Sequence, residues 1–221
     1  MKLNGKKIAF LGDSITEGVG TSGCPNRFCD LIEEATGAEC LNYGISGTRI
    51  AIQTRPSEPS SFDRYFSSRV DDMDTDADII FVFGGTNDFG HGDAPFGCME
   101  DRTPVTFYGG LHDLFVRLIE RYPGKPIVIA TPLHRLGETC INGECKPKEV
   151  GTLLDYVQAI RRVAEHYSLP VLDLFAVSGL QPSIDMLREK YMPDGLHPND
   201  AGHRIPVSYT HLRAHETGAY L

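Results

Sequence analysis

Ile79-Ile-Phe-Val-Phe-Gly-Gly-Thr-Asn-Asp88 is the stretch that decides the fold. Its first five residues are apolar without a break. A strand with one wet face alternates polar and apolar side chains, so this run reads as a strand buried on both faces. Such strands belong to parallel sheets covered by helices. Directly after it come two glycines and then three polar side chains, Thr86, Asn87 and Asp88.

Outward from this run, strands and helices alternate. Lys7–Leu11, Glu39–Tyr43, Pro126–Ala130 and Pro170–Leu174 are the other strand candidates. Asn26–Thr36 carries Phe28, Leu31, Ile32 and Ala35 on one helical face and is ended by Gly37. Leu111–Arg121 and Lys148–His166 are predicted helices, and Ser60–Val70 is a further helix candidate. Ala201–Ile205 reads as the start of a final helix. The alternation predicts an α/β fold: a three-layer α/β/α sandwich around a mostly parallel sheet of about five strands. Asp93–Tyr108 has little periodicity, and a loop of that length is expected to be a lid or wall of a site. No internal repeat, low-complexity segment or linker interrupts the chain.

Composition agrees with a globular chain. The 221 residues are 41% hydrophobic and 23% charged, with 23 glycines, which excludes disorder over most of the length. The net charge of −9 and the absence of a basic patch argue against a nucleic-acid partner. No apolar run is long enough to span a membrane. The amino end carries lysines, but the apolar run after them, Ile8–Leu11, is too short for a signal peptide, so a cytoplasmic protein is expected. Residues 206–221 lack a helical apolar period and resemble the translation of a sequencing adapter. They are therefore expected to be a non-native tail after a domain of residues 1–205, a domain lacking the rest of its final helix. Among six cysteines, Cys140 and Cys145 flank Asn142-Gly143, a type I′ turn signal that would bring two thiols together across a hairpin. A disulfide or metal pair there competes with two thiols on a surface loop. Oligomeric state is not legible.

In doubly wound sheets, ligands bind outside the carboxyl ends of the strands. Four polar segments are expected on that rim: Gly12-Asp13-Ser14, Asn42–Gly47, Gly84–Asp88 and Asp194–His197. A serine on a tight turn after a strand becomes a nucleophile if a base takes its proton, and His197 is the candidate base. Asp194, three residues earlier, can orient the imidazole from the same turn. The Ser14 and Gly47 amides and the Asn87 side chain are candidate donors to an oxyanion. Asp13, Arg49, His91 and His134 also lie near strand ends and are candidate substrate contacts. For the two histidines, ordinary loop hydrogen bonding is the competing reading, and for Arg49 a surface role.

Taken singly, each segment is an ordinary turn. Together, Phe10-Leu-Gly-Asp-Ser-Ile-Thr-Glu17, Asn42-Tyr-Gly-Ile-Ser-Gly47, Gly84-Gly-Thr-Asn-Asp88 and Asp194-Gly-Leu-His197 resemble the blocks of the GDSL, or SGNH, hydrolase superfamily. The resemblance runs from residue 6 to about 204. It implies a flavodoxin-like fold and hydrolysis of small-molecule esters or thioesters without metal or cofactor. It also implies Ser14 as nucleophile, Gly47 and Asn87 in the oxyanion hole, and Asp194 and His197 completing a triad. Small acyl groups, as on an acetylated sugar, are favoured, because no apolar helix suggests a lipid-docking surface.

Two other readings remain on the residues alone. One is a metal-dependent hydrolase built from Asp13, Asn87, Asp88, His91, Asp194 and His197. It leaves Ser14 idle and lacks any H-E-x-x-H or His-x-His pair. The other is a carbohydrate-binding domain without turnover on the same fold. Gly18-Val-Gly-Thr-Ser-Gly23 matches a dinucleotide-loop pattern, but it does not directly follow a strand, and no acidic residue closes the second strand. G-x-S-x-G is absent, which argues against an α/β-hydrolase elbow.

Overall fold

The computed structural model describes residues 3–142 and 150–207. Five strands, β1 (Lys7–Gly12), β2 (Glu39–Gly44), β3 (Ile79–Phe83), β4 (Ile127–Ala130) and β5 (Val171–Leu172), form one sheet in the order β2-β1-β3-β4-β5. Every neighbouring pair is parallel. Successive side chains of a strand leave on opposite faces, so the apolar runs feed two cores. Ala9, Leu11, Ile80, Val82, Ile127 and Ile129 join one core. It is covered by α4 (Phe107–Arg121) and α5 (Leu153–His166) through Leu111, Phe115, Ile160 and Val163. Ile8, Phe10, Ile79, Phe81, Phe83 and Val128 join the other. There Phe28 of α2 (Phe28–Thr36) lies 5.5 Å from Phe10, ring centre to ring centre. The three-layer α/β/α arrangement follows from this division.

Short helices mark the strand ends: α1 (Ser14–Glu17) after β1, α3 (Thr86–Gly90) after β3 and α6 (Leu174–Val177) after β5. Then come α7 (Asp185–Tyr191) and α8, residues 200–207. The expected helix start at Ala201–Ile205 falls in α8, which extends two residues past the boundary at 205. Ile205 and Val207 pack against the α2-side core. Residues 208–221 and Cys145 lie outside the described residues, so neither the rest of the tail nor the Cys140–Cys145 pairing is described.

Several segments differ from the sequence expectation for local reasons. Ser60–Val70 is not one helix. Two 3₁₀ segments, Ser60–Asp63 and Phe66–Asp72, take its place. The Phe66 N–H is diverted to the Arg49 carbonyl at 2.8 Å, which interrupts any continuous helical ladder. α5 begins at Leu153 rather than Lys148, because Asp155 accepts the Thr152 N–H at 2.7 Å and fixes the helix start there. The Asp93–Tyr108 loop ends inside α4, whose cap is Thr106, accepting the Gly109 N–H. Phe96 of that loop packs on Phe107 and on Tyr156 of α5, at 6.0 and 4.9 Å between ring centres. The loop is therefore a packed wall on the α4–α5 side.

His203 of α8 joins the two ends of the chain. Its ring stacks on Phe28 at 6.0 Å with an interplanar angle of 7°, and Nδ1 accepts the Phe28 N–H at 3.2 Å. One unpaired donor of the first turn of α2 is satisfied in this way. Burial pushes the His203 pKa down to about 4 from an ordinary 6.5. Between those values the unfolded chain binds more protons than the folded one, so this histidine withdraws stability as pH falls from about 6.5 to about 4. Asp13 acts in the opposite sense: its burial raises its pKa to about 7, so its contribution is lost as pH rises. A difference between variants separates the two. His203→Gln, which keeps an acceptor, should lose less stability than wild type on acidification from pH 7 to 4. The expected gap is on the order of 3 kcal/mol in urea unfolding. Parallel pH profiles for the two proteins would contradict the burial argument.

Candidate active site

The register of the sheet levels three strand ends. Gly12 of β1 lies opposite Gly44 of β2 and Phe83 of β3. Strand order reverses at β1, so the crevice between the ends of β1 and β3 is the topological switch point. Ser14 leaves β1 on one side of it, and Asn87 leaves β3 on the other.

Ser14 opens α1, and its side chain belongs to a residue only 6% exposed. Its Oγ lies 2.9 Å from His197 Nε2. His197 Nδ1 lies 2.6 Å from Asp194 Oδ2. A carboxylate only accepts, so Nδ1–H is the donor, and the neutral ring then presents Nε2 as acceptor to the Ser14 hydroxyl. Asp194 also accepts the main-chain N–H groups of Leu196 and His197 on Oδ1, at 2.8 and 2.7 Å. Partial burial opposes its ionisation, yet those amides and the ring hold its carboxyl below the usual carboxylate range. Serine, imidazole and carboxylate thus stand in a row, the geometry needed to remove a proton from Ser14.

The expected oxyanion donors come from the same rim. The N–H of a helix's first residue has no intrahelical acceptor, so α1 itself does not use the Ser14 amide. Asn87 is buried, and its Nδ2 donates to the Thr48 carbonyl at 3.1 Å, tying β3's end to the Gly47 turn. Gly47 has φ of +72°, and a Cβ there would lie 2.3 Å from the Phe62 ring, so the turn needs glycine both for its backbone and for space.

Four further candidates fare differently. Asp13 and Arg49, expected as substrate contacts, are both buried in the protein instead. The Asp13 carboxylate caps α1 by accepting the Ile15 N–H at 3.0 Å. Arg49 donates to Ser57 Oγ and to the His91 carbonyl at 2.8 and 3.2 Å, so it braces loops. His91 closes α3 through its backbone, donating to the Asn87 carbonyl at 2.8 Å. His134 follows β4 on the rim, hydrogen-bonded through Nδ1 to Glu138 at 2.8 Å and lying against the Phe175 ring. Among the described residues no three His, Cys, Asp or Glu side chains gather as a metal-holding group.

Three further residues support the site in roles that the sequence reading did not give them. Arg69 is buried against the Phe66 ring and donates to the carbonyls of Tyr43 and Gly12 and to Thr48 Oγ1, at 2.7, 3.1 and 3.0 Å. It thereby clamps the ends of β1 and β2 to the Gly47 turn. Burial lowers its pKa to about 10, so it stays charged at neutral pH. The Asp88 carboxylate accepts the Ile50 N–H on Oδ2 and the Ala51 N–H on Oδ1, each at 2.9 Å. Glu17 accepts the Ser46 N–H at 2.7 Å. A lone arginine in Ser67-Ser68-Arg69 carries no sequence signal for such a role. Glu17 and Asp88 stand within quoted blocks, and Asp88 was otherwise weighed only as a metal ligand.

An all-parallel α/β sandwich with a serine–histidine–carboxylate row at its switch point defines the class of protein. A model of the GDSL-like lipase/acylhydrolase family matches residues 10–205, and the chain belongs to that family. One solved structure shares 32% identity over 95% of this chain and 96% of its own, with a TM-score of 0.81. A protein from Lactobacillus plantarum shares 29% over 97% of this chain and 99% of its own, also at 0.81. A carbohydrate acetylesterase family member from Sinorhizobium meliloti shares the fold at 17% identity, with a TM-score of 0.64 over 95% of this chain and 98% of its own. No curated protein matches the chain.

Replacing Arg69 by Met should cost about 3 kcal/mol or more in denaturant unfolding, because two strand-end carbonyls lose a charged donor inside the protein. A variant as stable as wild type would show that the clamp is dispensable.

Proposed function

We propose that the protein is a serine esterase that cleaves small carboxylic esters through an acyl-enzyme. The observation that carries this reading is the row from Ser14 Oγ through His197 to Asp194, with spacings of 2.9 and 2.6 Å. Ser14 Oγ attacks the ester carbonyl carbon while His197 Nε2 takes its proton. The negative oxygen that forms is held by the Ser14 and Gly47 amides and the Asn87 side chain. Collapse breaks the bond to the alcohol, which leaves with the proton from His197. Water then attacks the acyl group, again giving its proton to Nε2. The acid departs, and Ser14 recovers its proton. Asp194 keeps Nδ1 protonated throughout and stabilises the imidazolium.

Short acyl groups, including those on carbohydrates, are the favoured substrate class. The fold is shared with a carbohydrate acetylesterase family member. A turnover profile from p-nitrophenyl acetate to palmitate should decline with chain length, and a maximum at palmitate would reverse the substrate assignment.

Ser14→Ala should lower kcat on p-nitrophenyl acetate by about 10⁴-fold or more, and Asn87→Ala by about 10²–10³-fold. Wild-type turnover in Ser14→Ala would end the reading. Activity should survive a chelator, which the metal-dependent reading forbids.

A further inference from the structure

The segment Gly18-Val-Gly-Thr-Ser-Gly23, whose glycine spacing mimics a nucleotide loop, lies between the two halves of the site. Its first end is tied to the turn that carries Ser14: the N–H groups of Gly18 and Val19 both donate to the Ser14 carbonyl, at 3.0 and 2.9 Å. Its far end is tied to the segment that carries His197. Ser22 donates to Asp200 twice, N–H to Oδ1 at 2.8 Å and Oγ–H to Oδ2 at 2.6 Å. Asp200 stands three residues after His197 and opens α8. Asn26 Nδ2 donates to Ser22 Oγ at 3.0 Å and steadies that hydroxyl. Thr21 donates to the Gly18 carbonyl through N and Oγ1, at 3.1 and 2.7 Å, so the loop is closed on itself.

Between the two ends the loop touches the base segment directly. Gly20 has φ of +95°, and a Cβ there would lie 2.5 Å from the Pro198 carbonyl oxygen and 3.2 Å from His197 Cβ. The nearest atom is backbone, which cannot swing aside as a flexible side chain does. The other anchors of this segment reach elsewhere. Leu136 N–H donates to the Gly195 carbonyl at 2.9 Å, and Asn199 N–H to the Tyr191 carbonyl at 2.8 Å. Those bonds fix it to the loop after β4 and to α7, whereas the glycine loop fixes it to α1.

We propose that residues 18–23 form a strap that sets the distance between Ser14 and His197, with Gly20 and Ser22 as positioning residues. The inference rests on the triad reading above. Nucleophile and base are 183 residues apart in sequence, and the strap is a short, stiff path between them. It leaves Ser14's turn, passes under His197 and ends on Asp200. The glycines serve close approach to the protein's own backbone, with no phosphate required. Misplacement of a reacting group by about 1 Å can cost on the order of 10²-fold in rate, so the strap's register governs the chemical step.

Turnover of p-nitrophenyl acetate and the rate of Ser14 labelling by a fluorophosphonate test this together, since both need His197 to take the Ser14 proton. Gly20→Ala should lower kcat and labelling in parallel by about 100-fold, with KM within about twofold and a lowered melting temperature, since the added Cβ meets backbone at a positive φ. Ser22→Ala, which adds no atom, removes the hydroxyl's bonds to Asp200 and Asn26 and should lower both by about 3- to 10-fold, and Ser22→Thr should restore them. The Ser22 pair carries the test if Gly20→Ala does not fold. Unchanged kcat in folded variants overturns the proposal. So does a loss confined to KM, which would make the strap a pocket wall, or a failure of Ser22→Thr to rescue. The parent reading is judged separately by wild-type turnover and its loss in Ser14→Ala.

Discussion

The levelled carboxyl ends of β1, β2 and β3 are the constraint on which the rest of the molecule depends. Gly12, Gly44 and Phe83 stand side by side because the three strands run parallel in one register. Whatever follows those residues must emerge on one rim, however far apart it lies in the chain. A slip of one residue would turn each strand inside out, moving Phe10 and Phe81 into the α4–α5 core and Ala9 and Ile80 into the other. The double burial of the sheet therefore fixes the positions of Ser14 and Asn87 as firmly as it fixes the core.

The rim is held by buried charge. Arg69 and Asp88 are almost entirely removed from water, and each spends its hydrogen bonds on main-chain or hydroxyl partners from neighbouring loops. Buried charges are expensive, and apolar packing would hold two helices together at lower cost. What apolar packing cannot do is bind carbonyl and amide groups at the ends of strands, where the sheet no longer pairs them. Arg69 takes the Gly12 and Tyr43 carbonyls, and Asp88 takes the Ile50 and Ala51 amides. Each fixes the loops on either side of Ser14 in a direction as well as a position. Asp13 fits the same scheme, capping α1 from a site where burial raises its pKa to about 7.

Legibility followed the range of the interactions. The strand at Ile79–Phe83 was readable to the residue, since five apolar side chains report burial locally. Ser14, His197 and Asp194 were readable from four short blocks taken together, because each block sits at a strand end or on a turn. Helix starts set by one side chain were less so: Asp155 moved the start of α5, and a Thr-x-x-Asp pattern at Thr152 was the available signal. Ser60–Val70 was misread because the bond that breaks its ladder goes to Arg49, outside any local window. The protein partners of Asp13 and Arg49 were not legible for a related reason. A charged residue beside a motif looks the same in sequence whether it faces a ligand or the protein, and only tertiary packing decides. His203 was placed in the right helix, but its cap on α2 depends on a partner 175 residues away.

The two halves of the site are built unequally, and the inequality has a physical consequence. Ser14, Gly47 and Asn87 rest on the sheet, with buried groups beneath them. His197 and Asp194 rest on a loop between α7 and α8, where the Asp194 side chain is 54% exposed and the His197 side chain 17%. Water screens the exposed carboxylate, so its electrostatic hold on the ring is weaker than that of a buried one. Hydrogen bonds must therefore supply the orientation that field strength does not. They do so at both levels: Asp194 binds the backbone of the segment it orients, through the Leu196 and His197 amides, and Asp200 binds the neighbouring loop through Ser22. His197 held in this way has its position set by short polar contacts at the surface, while Ser14 has its position set by the core. Disturbances of the core should then move the whole rim together, whereas disturbances of the 18–23 loop should change the spacing within it.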